Sequence, residues 1–384
     1  MAIRGGFGLF RDFLDVEYRS HLINNPPFFS LLNVSNPPFP LGFSGGGTTS
    51  VPLTSPDGFD FNLKIATALE YNFSIQRQIT TNTIFVIGYA GSHSVHLINV
   101  FDANTAVPQI LADGSKFYPL GAPARNPNFS KSTYTTGDTH AFYNALQLDL
   151  VRRSSRGLRY KASYTFSKNL DDISSTASMR ALSEASATQD PENRKADRGL
   201  SSYDMRHYLI ANFSYALPWN HLAGVGRLVE GWEIGAIASY AGGLPVEVLT
   251  GFNRSRNLSG VIADRPNLVA GKSNNPVLGG PDKYFDPTAF TLPPAGTYGN
   301  LGRNTVRAPK LVNLDFNLAK AIPINEQWKM DFRAEFFNVF NHANFSFPNN
   351  QIFGTNGQIL GSAGVITSTV TTSRQIQFGV KLIF

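Results

Sequence analysis

Short segments in which apolar and polar residues alternate recur along the whole chain. The stretch WKMDFRAEF, residues 328–336, alternates apolar residues with Lys329, Asp331, Arg333 and Glu335. A period of two places the two kinds of side chain on opposite faces of a β-strand. The segments 158–168 and 312–320 repeat the pattern. The sequence therefore predicts an all-β protein whose strands have one apolar and one polar or charged face.

The connections between these segments alternate between long and short. Short connections join four pairs of segments: 61–76 with 81–98, 140–152 with 158–170, 202–218 with 231–249, and 311–321 with 327–340. Long stretches rich in Pro, Gly and Asn separate these pairs from one another and from the segments 2–13 and 374–384. Outer-membrane barrels have short periplasmic turns and long extracellular loops. The alternation predicts an antiparallel transmembrane β-barrel of the outer-membrane type in the Gram-negative outer membrane.

About ten strands are too few for a large closed barrel, so we expect a partial barrel, a curved sheet with free edges near 2–13 and 374–384. Its apolar face should meet lipid and stay uncovered by protein. The residues expected to be accessible on that face are Phe316, Leu318, Phe332, Phe336, Phe378 and Leu382.

The turn IPINE, residues 322–326, sets the expected register of the last short hairpin. Pairing Phe316 with Phe332 and Leu318 with Met330 matches the apolar faces. This register places Asp315 opposite Arg333, within reach of an ion pair.

Aromatic residues mark the expected periplasmic side and the end of the chain. Trp219, Trp232 and Trp328 lie beside short turns, where indole rings suit the membrane–water boundary. They are predicted to form a periplasmic aromatic girdle. The last strand places five apolar residues on one face: Ile376, Phe378, Val380, Leu382 and Phe384.

Composition argues against several other classes. The net charge is +6, but the basic residues are scattered and form no basic block, so nucleic acid is not predicted as a partner. Charged residues make up 16% of the chain beside 30 Phe and 14 Tyr, which suits a large lipid-facing surface. The longest stretch without charge is too polar for a membrane helix. The start of the chain is expected to lack a signal peptide.

No pattern of catalytic residues, metal ligands or cofactor contacts is found, so an enzyme is not predicted. His93 and His96 are three residues apart in a strand and point to opposite faces. Asp171, Asp172 and the segment DPEN, 190–193, offer oxygens either to calcium or to turns, and turn chemistry is favoured.

Basic residues in the long loops are candidates for contacts with an anionic ligand or with lipopolysaccharide phosphates. The candidates are Arg194, Lys195, Arg198, Arg254, Arg256 and Arg303, with Arg265 and Arg307 in the same loops. The simpler interpretation, which is favoured, is that these are solvated loop charges.

Several segments resemble one family. RAEFFNVFNHANF (333–345), DRGLSSYDMRHYLIANFSYALPW (197–219) and the final strand are similar to the Oar-like branch of TonB-dependent outer-membrane receptors. GGFGLFRD and NLGRNTVRAPK also fit. Receptors of this kind have a signal peptide, often a carboxypeptidase-regulatory-like β-domain, a plug, and a barrel of 22 strands. The resemblance implies that residues 1–384 are the C-terminal part of such a barrel, without those preceding parts.

The same resemblance implies a function and partners. It implies a barrel segment, from a truncated protein or gene fragment, for TonB-dependent uptake of an unknown ligand, with the TonB system acting through the missing plug. Lipid, lipopolysaccharide and the barrel-assembly machinery, which would read the final strand and Phe384, are the other implied partners. The alternatives are a structural or adhesive outer-membrane surface protein without transport, and a soluble all-β binding domain.

Overall fold

The alternating segments form the strands of one large sheet. In this computed structural model, residues 1–13, 32–36, 48–50, 52–174, 187–219, 229–325 and 327–384 are described, with single positions 23, 25, 27, 29 and 185. Ten strands pair in chain order and define its path. They are β1 (Ala2–Asp12), β2 (Ala66–Thr80), β3 (Thr83–Asp102), β4 (Thr133–Ser155), β5 (Leu158–Asp171), β6 (His207–Ala216), β7 (Trp232–Ala241), β8 (Leu311–Pro323), β9 (Lys329–Phe337) and β10 (Gln375–Ile383).

Every neighbouring pair along this path is antiparallel, so the expected meander is confirmed. One pairing was not expected: the loop strand Asp57–Phe59 lies parallel to the start of β4. A strand crosses the membrane with ~9–11 residues, and β4 is 23 residues long. The first part of β4 therefore extends beyond the apolar band, where a loop segment can pair with it.

Among the described residues, helical structure is confined to short pieces. The described residues include a single helical turn, α1 (Arg194–Asp197), and a 3₁₀ turn at Pro287–Ala289. None of the helices in the described part of the chain is long and apolar enough to cross a membrane. The sequence also allows a short loop helix at 177–187, but this segment lies almost wholly outside the described residues.

The two ends of the sheet differ in their connections. At one end, called the turn end, β2 meets β3 and β4 meets β5 in tight turns. Arg156 and Gly157 of the second turn both have positive φ, 52° and 79°, as a two-residue hairpin of type I′ requires. The long connections 103–132, 172–206, 242–310 and 338–374 leave from the opposite end, called the loop end.

The two faces of the sheet have different chemistry, as expected. Paired residues share a face, and one row across six strands reads Tyr160, Phe213, Ala236, Phe316, Phe336 and Ile376. None of the six residues predicted to be accessible is buried, and the exposed fractions of Phe378 and Leu382 are 68% and 48%. On the other face, Arg159 donates to Ser214 and to Glu233 at 2.8 and 2.9 Å.

The predicted register of the β8–β9 hairpin is wrong. Phe316 pairs with Phe336, and Arg333 pairs with Ala319, which moves Asp315 four residues away from Arg333 along the strands. The faces are unchanged because the shift is even. The turn begins later than IPINE suggested: Pro323 is still paired, and Asn325 Oδ1 accepts from the amides of Gln327 and Trp328.

Among the described residues, the hydrophobic core clusters lie in the long connections and not under the sheet. Fully buried residues from 242–310 and 338–374 pack together, and these are Val246, Val248, Phe285, Ala289, Val306 and Ile352. Two-stranded pairings, such as Pro245–Val246 with Val306–Arg307, hold these segments. The connections expected to be simple loops therefore form a packed layer at the loop end.

Candidate functional site

A pocket opens in this packed layer above the ends of β3 and β4. Phe101 and Tyr134 come from these two strands, and Tyr118, Asp190 and Tyr298 come from three different long connections. The volume is about 260 Å³, and an adjoining hollow of about 390 Å³ shares Asp190 and Tyr298 with it. We call these two spaces together the loop pocket.

Aromatic rings form one wall of the loop pocket. The rings of Tyr118 and Tyr298 meet edge to face at 5.6 Å, and their hydroxyls lie 3.0 Å apart. Phe101 and Tyr134 make a second edge-to-face pair at 5.8 Å. Burial raises the pKa of both Tyr118 and Tyr298, so the two phenols stay neutral and act as hydrogen-bonding groups.

Paired charges form the opposite wall. Lys116 Nζ lies 2.7 Å from carboxylate oxygens of both Asp190 and Glu192, and Arg125 also binds Glu192. The hydrogen bond from Lys116 is the main cause that lowers the pKa of Glu192. Burial acts to lower the pKa of Lys116, but the hydrogen bonds and charges of Asp190 and Glu192 outweigh it and raise the pKa. The Lys116–Glu192 contact is therefore charged on both sides at neutral pH.

The loop pocket is suited to binding a small molecule. Its aromatic rings offer a surface on which a ligand can stack. Glu192 and Arg125 are partly exposed, so a charged ligand could replace one of them as the partner of the other. Among the described residues, no group of three or more His, Asp or Glu is placed to hold a metal ion. His93 stacks on Phe142, and His96 Nδ1 lies 3.3 Å from the carbonyl oxygen of Gly137. Two other histidines belong to no metal-ligand pattern of the sequence: His207 binds the Tyr164 hydroxyl, and His221 lies outside the described residues.

Two of the loop arginines are buried and held by carboxylates and carbonyls of the protein. Arg265 is 1% exposed and binds Asp197 at 2.6 Å and Glu247 at 3.3 Å. Arg303 is 4% exposed and binds the carboxylate and carbonyl of Asp171. The simpler interpretation, solvated loop charge, is therefore wrong for these two, because they are buried.

The remaining candidates are more accessible. The guanidinium of Arg194 lies over the ring of Phe101, 5.1 Å from its centroid, and Arg198 lies over Phe142 at 5.0 Å. Lys195 and Arg198 are exposed, while Arg254 is half-buried and donates to the carbonyl of Pro293. Arg256, also half-buried, has a positive φ of 59°. Contact of these residues with an anionic ligand stays a prediction.

The three tryptophans of the predicted girdle and the terminal Phe384 lie at the turn end. Trp232 begins β7, and Lys320 Nζ lies over its ring, 4.6 Å from the ring centroid. Trp219 follows β6 and is exposed. Trp328 precedes β9, and its ring centroid is 5.3 Å from that of Phe384. Phe384 and the other four residues of the final apolar face are all exposed. Their roles as girdle and assembly signal stay predictions.

A family model described as outer membrane beta barrel domain matches residues 1–377. The chain belongs to this family. The match agrees with the antiparallel fold, and it confirms the outer membrane as the location of this barrel. No curated protein matches the chain.

Solved structures of outer-membrane proteins are similar to this barrel. The outer membrane transporter YddB from Escherichia coli is 10% identical over 87% of this chain and 35% of its own, with a TM-score of 0.48. A mutant of the ferric enterobactin receptor PfeA from Pseudomonas aeruginosa is 12% identical over 99% and 38%, with 0.46. The FrpB iron transporter from Neisseria meningitidis is 13% identical over 86% and 33%, with 0.38. The chain spans about a third of the length of each of these structures.

Sequence reasoning missed the loop pocket. Its members come from three distant segments, which contain Lys116 to Arg125, Asp190 and Tyr298, and no spacing links these segments. The segment 190–193 was noted only as turn or calcium chemistry, although its Asp190 and Glu192 bind Lys116. The signal that could have pointed here was the density of Tyr and charged residues in long connections, because ligand contacts concentrate on loops.

Proposed function

We propose that this chain is a barrel segment of a TonB-dependent receptor of the Oar-like branch, and that it takes part in uptake of a ligand across the outer membrane. The observation that carries the proposal is the loop pocket at the loop end of an outer-membrane barrel sheet. Long loops of such barrels face the exterior, so the pocket is where a ligand from outside is first held.

The polar face of the sheet supports passage beyond the pocket. Arg159, Ser214 and Glu233 form a hydrogen-bonded row across β5, β6 and β7 on that face. A polar interior is the property that a conducting barrel needs. In this proposal gating belongs to a plug domain, which the ten strands do not include and which makes the TonB contact.

The lining of the pocket indicates the kind of ligand. Aromatic rings favour a ligand with flat apolar surface, and the partly exposed Arg125 favours one that carries negative charge. Binding would exchange the contact between Arg125 and Glu192 for one between Arg125 and the ligand. A ferric catecholate chelate has both aromatic rings and negative charge and is the probe of choice.

The test compares uptake of radiolabelled ferric enterobactin by Gram-negative cells that carry this chain joined to a plug domain as a complete receptor, with and without a working TonB system. We expect TonB-dependent accumulation that falls about tenfold in Arg125→Gln. Lys272→Gln, an exposed loop change outside the pocket, is the control. Uptake that is equal without TonB, or equal in both variants, contradicts the proposal. Loop-dependent adhesion of the cells without any uptake favours the alternative of an adhesive surface protein.

A further inference from the structure

A second hollow lies on the apolar face of the sheet, near the loop end. Its floor and walls are Ala238, Tyr240, Val312 and Leu314 of β7 and β8, with Leu209 of β6 beside them. Leu209, Tyr240 and Val312 stand side by side in one row of the sheet, and Ala238 and Leu314 pair in the next row. The small side chain of Ala238 leaves the depression between larger neighbours. We call this space, of about 460 Å³, the lipid-face hollow.

One side of the lipid-face hollow is formed by the connection that follows β9. Val339 donates its amide to Leu314, and this contact brings the next residue, Phe340, against the hollow. The Phe340 side chain is 77% exposed, although it borders an apolar surface. An aromatic ring so exposed beside an apolar hollow is expected where a further apolar group fills the space.

The apolar face of an outer-membrane barrel is in contact with lipid. The occupant of a hollow on this face is therefore a lipid chain, because no water-soluble molecule reaches that depth. The loop end of the sheet corresponds to the outer leaflet, since long loops face the exterior. The hollow is thus placed at the level of the outer-leaflet lipid, close to its head groups.

Two basic residues lie near the hollow on the side toward the loops. Lys310 is exposed two residues before Val312, and the guanidinium of Arg374 lies 3.5 Å from the carbonyl of Val339. The bordering segments 205–209, 237–242, 308–314, 338–344 and 369–374 contain no Asp or Glu. Two carboxylates adjoin these segments in sequence: Asp204 pairs with Arg307, and Asp315 belongs to the opposite face and binds the amide of Asn338. The rim therefore suits an anionic head group.

We propose that the lipid-face hollow binds one acyl chain of a phosphorylated lipid A, and that Lys310 and Arg374 contact a phosphate of the same lipid. This site differs from the loop arginines named as lipopolysaccharide candidates, which lie among the long connections. It does not depend on the loop pocket or on transport. It assigns the barrel a specific outer-leaflet lipid.

Native mass spectrometry of the 384-residue chain in detergent tests the proposal, with diphosphoryl lipid A as the probe and phosphatidylethanolamine as the comparator. We expect one molecule of lipid A to stay bound under conditions that remove phosphatidylethanolamine. Ala238→Phe fills the hollow and should lower retention about tenfold. Ala162→Phe, on the same face of β5, is the matched control and should retain lipid A.

A second variant keeps the packing intact and tests the rim. Lys310→Gln combined with Arg374→Gln should reduce retention of diphosphoryl lipid A to that of its dephosphorylated form, while Lys272→Gln should not. Equal losses in Ala238→Phe and Ala162→Phe would show general lipid contact only, and overturn the proposal. Retention that is unchanged by the double variant, or equal for phosphatidylethanolamine, overturns it as well.

Discussion

Single residues explain why two of the motifs found in the sequence belong together. DRGLSSYD (197–204) and NLGRNTVR (300–307) meet in the loop layer, where Arg303 Nε donates to the carbonyl of Asp197 at 2.7 Å. Asn304 donates to the carbonyl of Leu200 at 2.8 Å, and Arg307 binds Asp204. Position 199 requires glycine, because a Cβ there would lie 2.8 Å from the Arg303 carbonyl oxygen. The motifs thus join the connections 172–206 and 242–310.

Arg303→Ala should separate these two connections. The change leaves the carboxylate of Asp171 buried without its cation, and removing one partner of a buried pair costs about 3–5 kcal/mol. Limited proteolysis of the detergent-solubilised chain should show faster cleavage within 172–206. Lys272→Ala, an exposed loop residue, should leave the cleavage rate unchanged. Equal protection in Arg303→Ala would mean that the loop layer does not depend on this pair.

The charged wall of the loop pocket should loosen in acid. The lowered pKa of Glu192 contributes stability that is present above the ordinary carboxyl pKa and is lost as the pH falls through the lowered value. The raised pKa of Lys116 contributes stability below the ordinary lysine pKa, and this is lost only as the pH rises through the raised value. Hydrogen exchange of segment 115–118, corrected for intrinsic rates, should therefore show protection at neutral pH and loss below the Glu192 pKa. In Glu192→Gln that acid step should disappear or shrink; an unchanged step contradicts the assignment.

At the scale of elements, the hairpin of β8 and β9 shows what alternation can and cannot determine. Alternation fixes which residues share a face, and both the expected and the observed registers keep Phe316 on the apolar face. It does not distinguish registers that differ by an even number of residues. The turn makes that choice, through the Asn325 side chain and the continued pairing of Pro323.

Paired cysteines distinguish the two registers directly. Phe316→Cys with Phe336→Cys should form a disulfide in the folded barrel, because directly paired residues place their Cβ atoms ~4.5–5.5 Å apart. Phe316→Cys with Phe332→Cys should not, since four residues of strand separate the two positions. Cross-linking is measured by mobility on a non-reducing gel after folding. A disulfide in the second pair and none in the first would restore the register expected from IPINE.

The loop layer could be predicted less well than the strands, for a physical reason. A strand carries a period of two that the sequence displays, so all ten strands of the path were found, although β4 starts at Thr133 and not near 140, and β7 ends at Ala241 and not near 249. The loop layer depends on contacts between distant segments, such as Arg265 with Asp197 and with Glu247. Such contacts leave no local pattern, and these residues look like ordinary loop charges until the segments meet.

The whole molecule consists of a sheet that is accessible on its apolar face and a loop layer that has its own core. Val246, Phe285 and Ile352 are fully buried in that layer, whereas every residue of β10 is exposed. The division follows the surroundings, since lipid solvates the apolar face and water surrounds the loops. A protein in this environment needs no second protein layer on the sheet. It does need partners for the backbone groups at the sheet edges.

Those edges lead to the last prediction. Among the described residues, β1 and β10 end the path of the sheet, and each has a row of amides and carbonyls that pairs with no further strand. Each unsatisfied backbone group in hydrocarbon costs several kcal/mol, so β1 and β10 should be paired whenever the sheet is in a membrane, either with further barrel strands or with a second copy. Hydrogen exchange of the chain inserted in lipid vesicles should show β1 and β10 amides as protected as those of β6. In lipid-free detergent at high dilution, the edge amides should exchange faster while β6 stays protected. Fast edge exchange in vesicles would mean that the edges remain in contact with water.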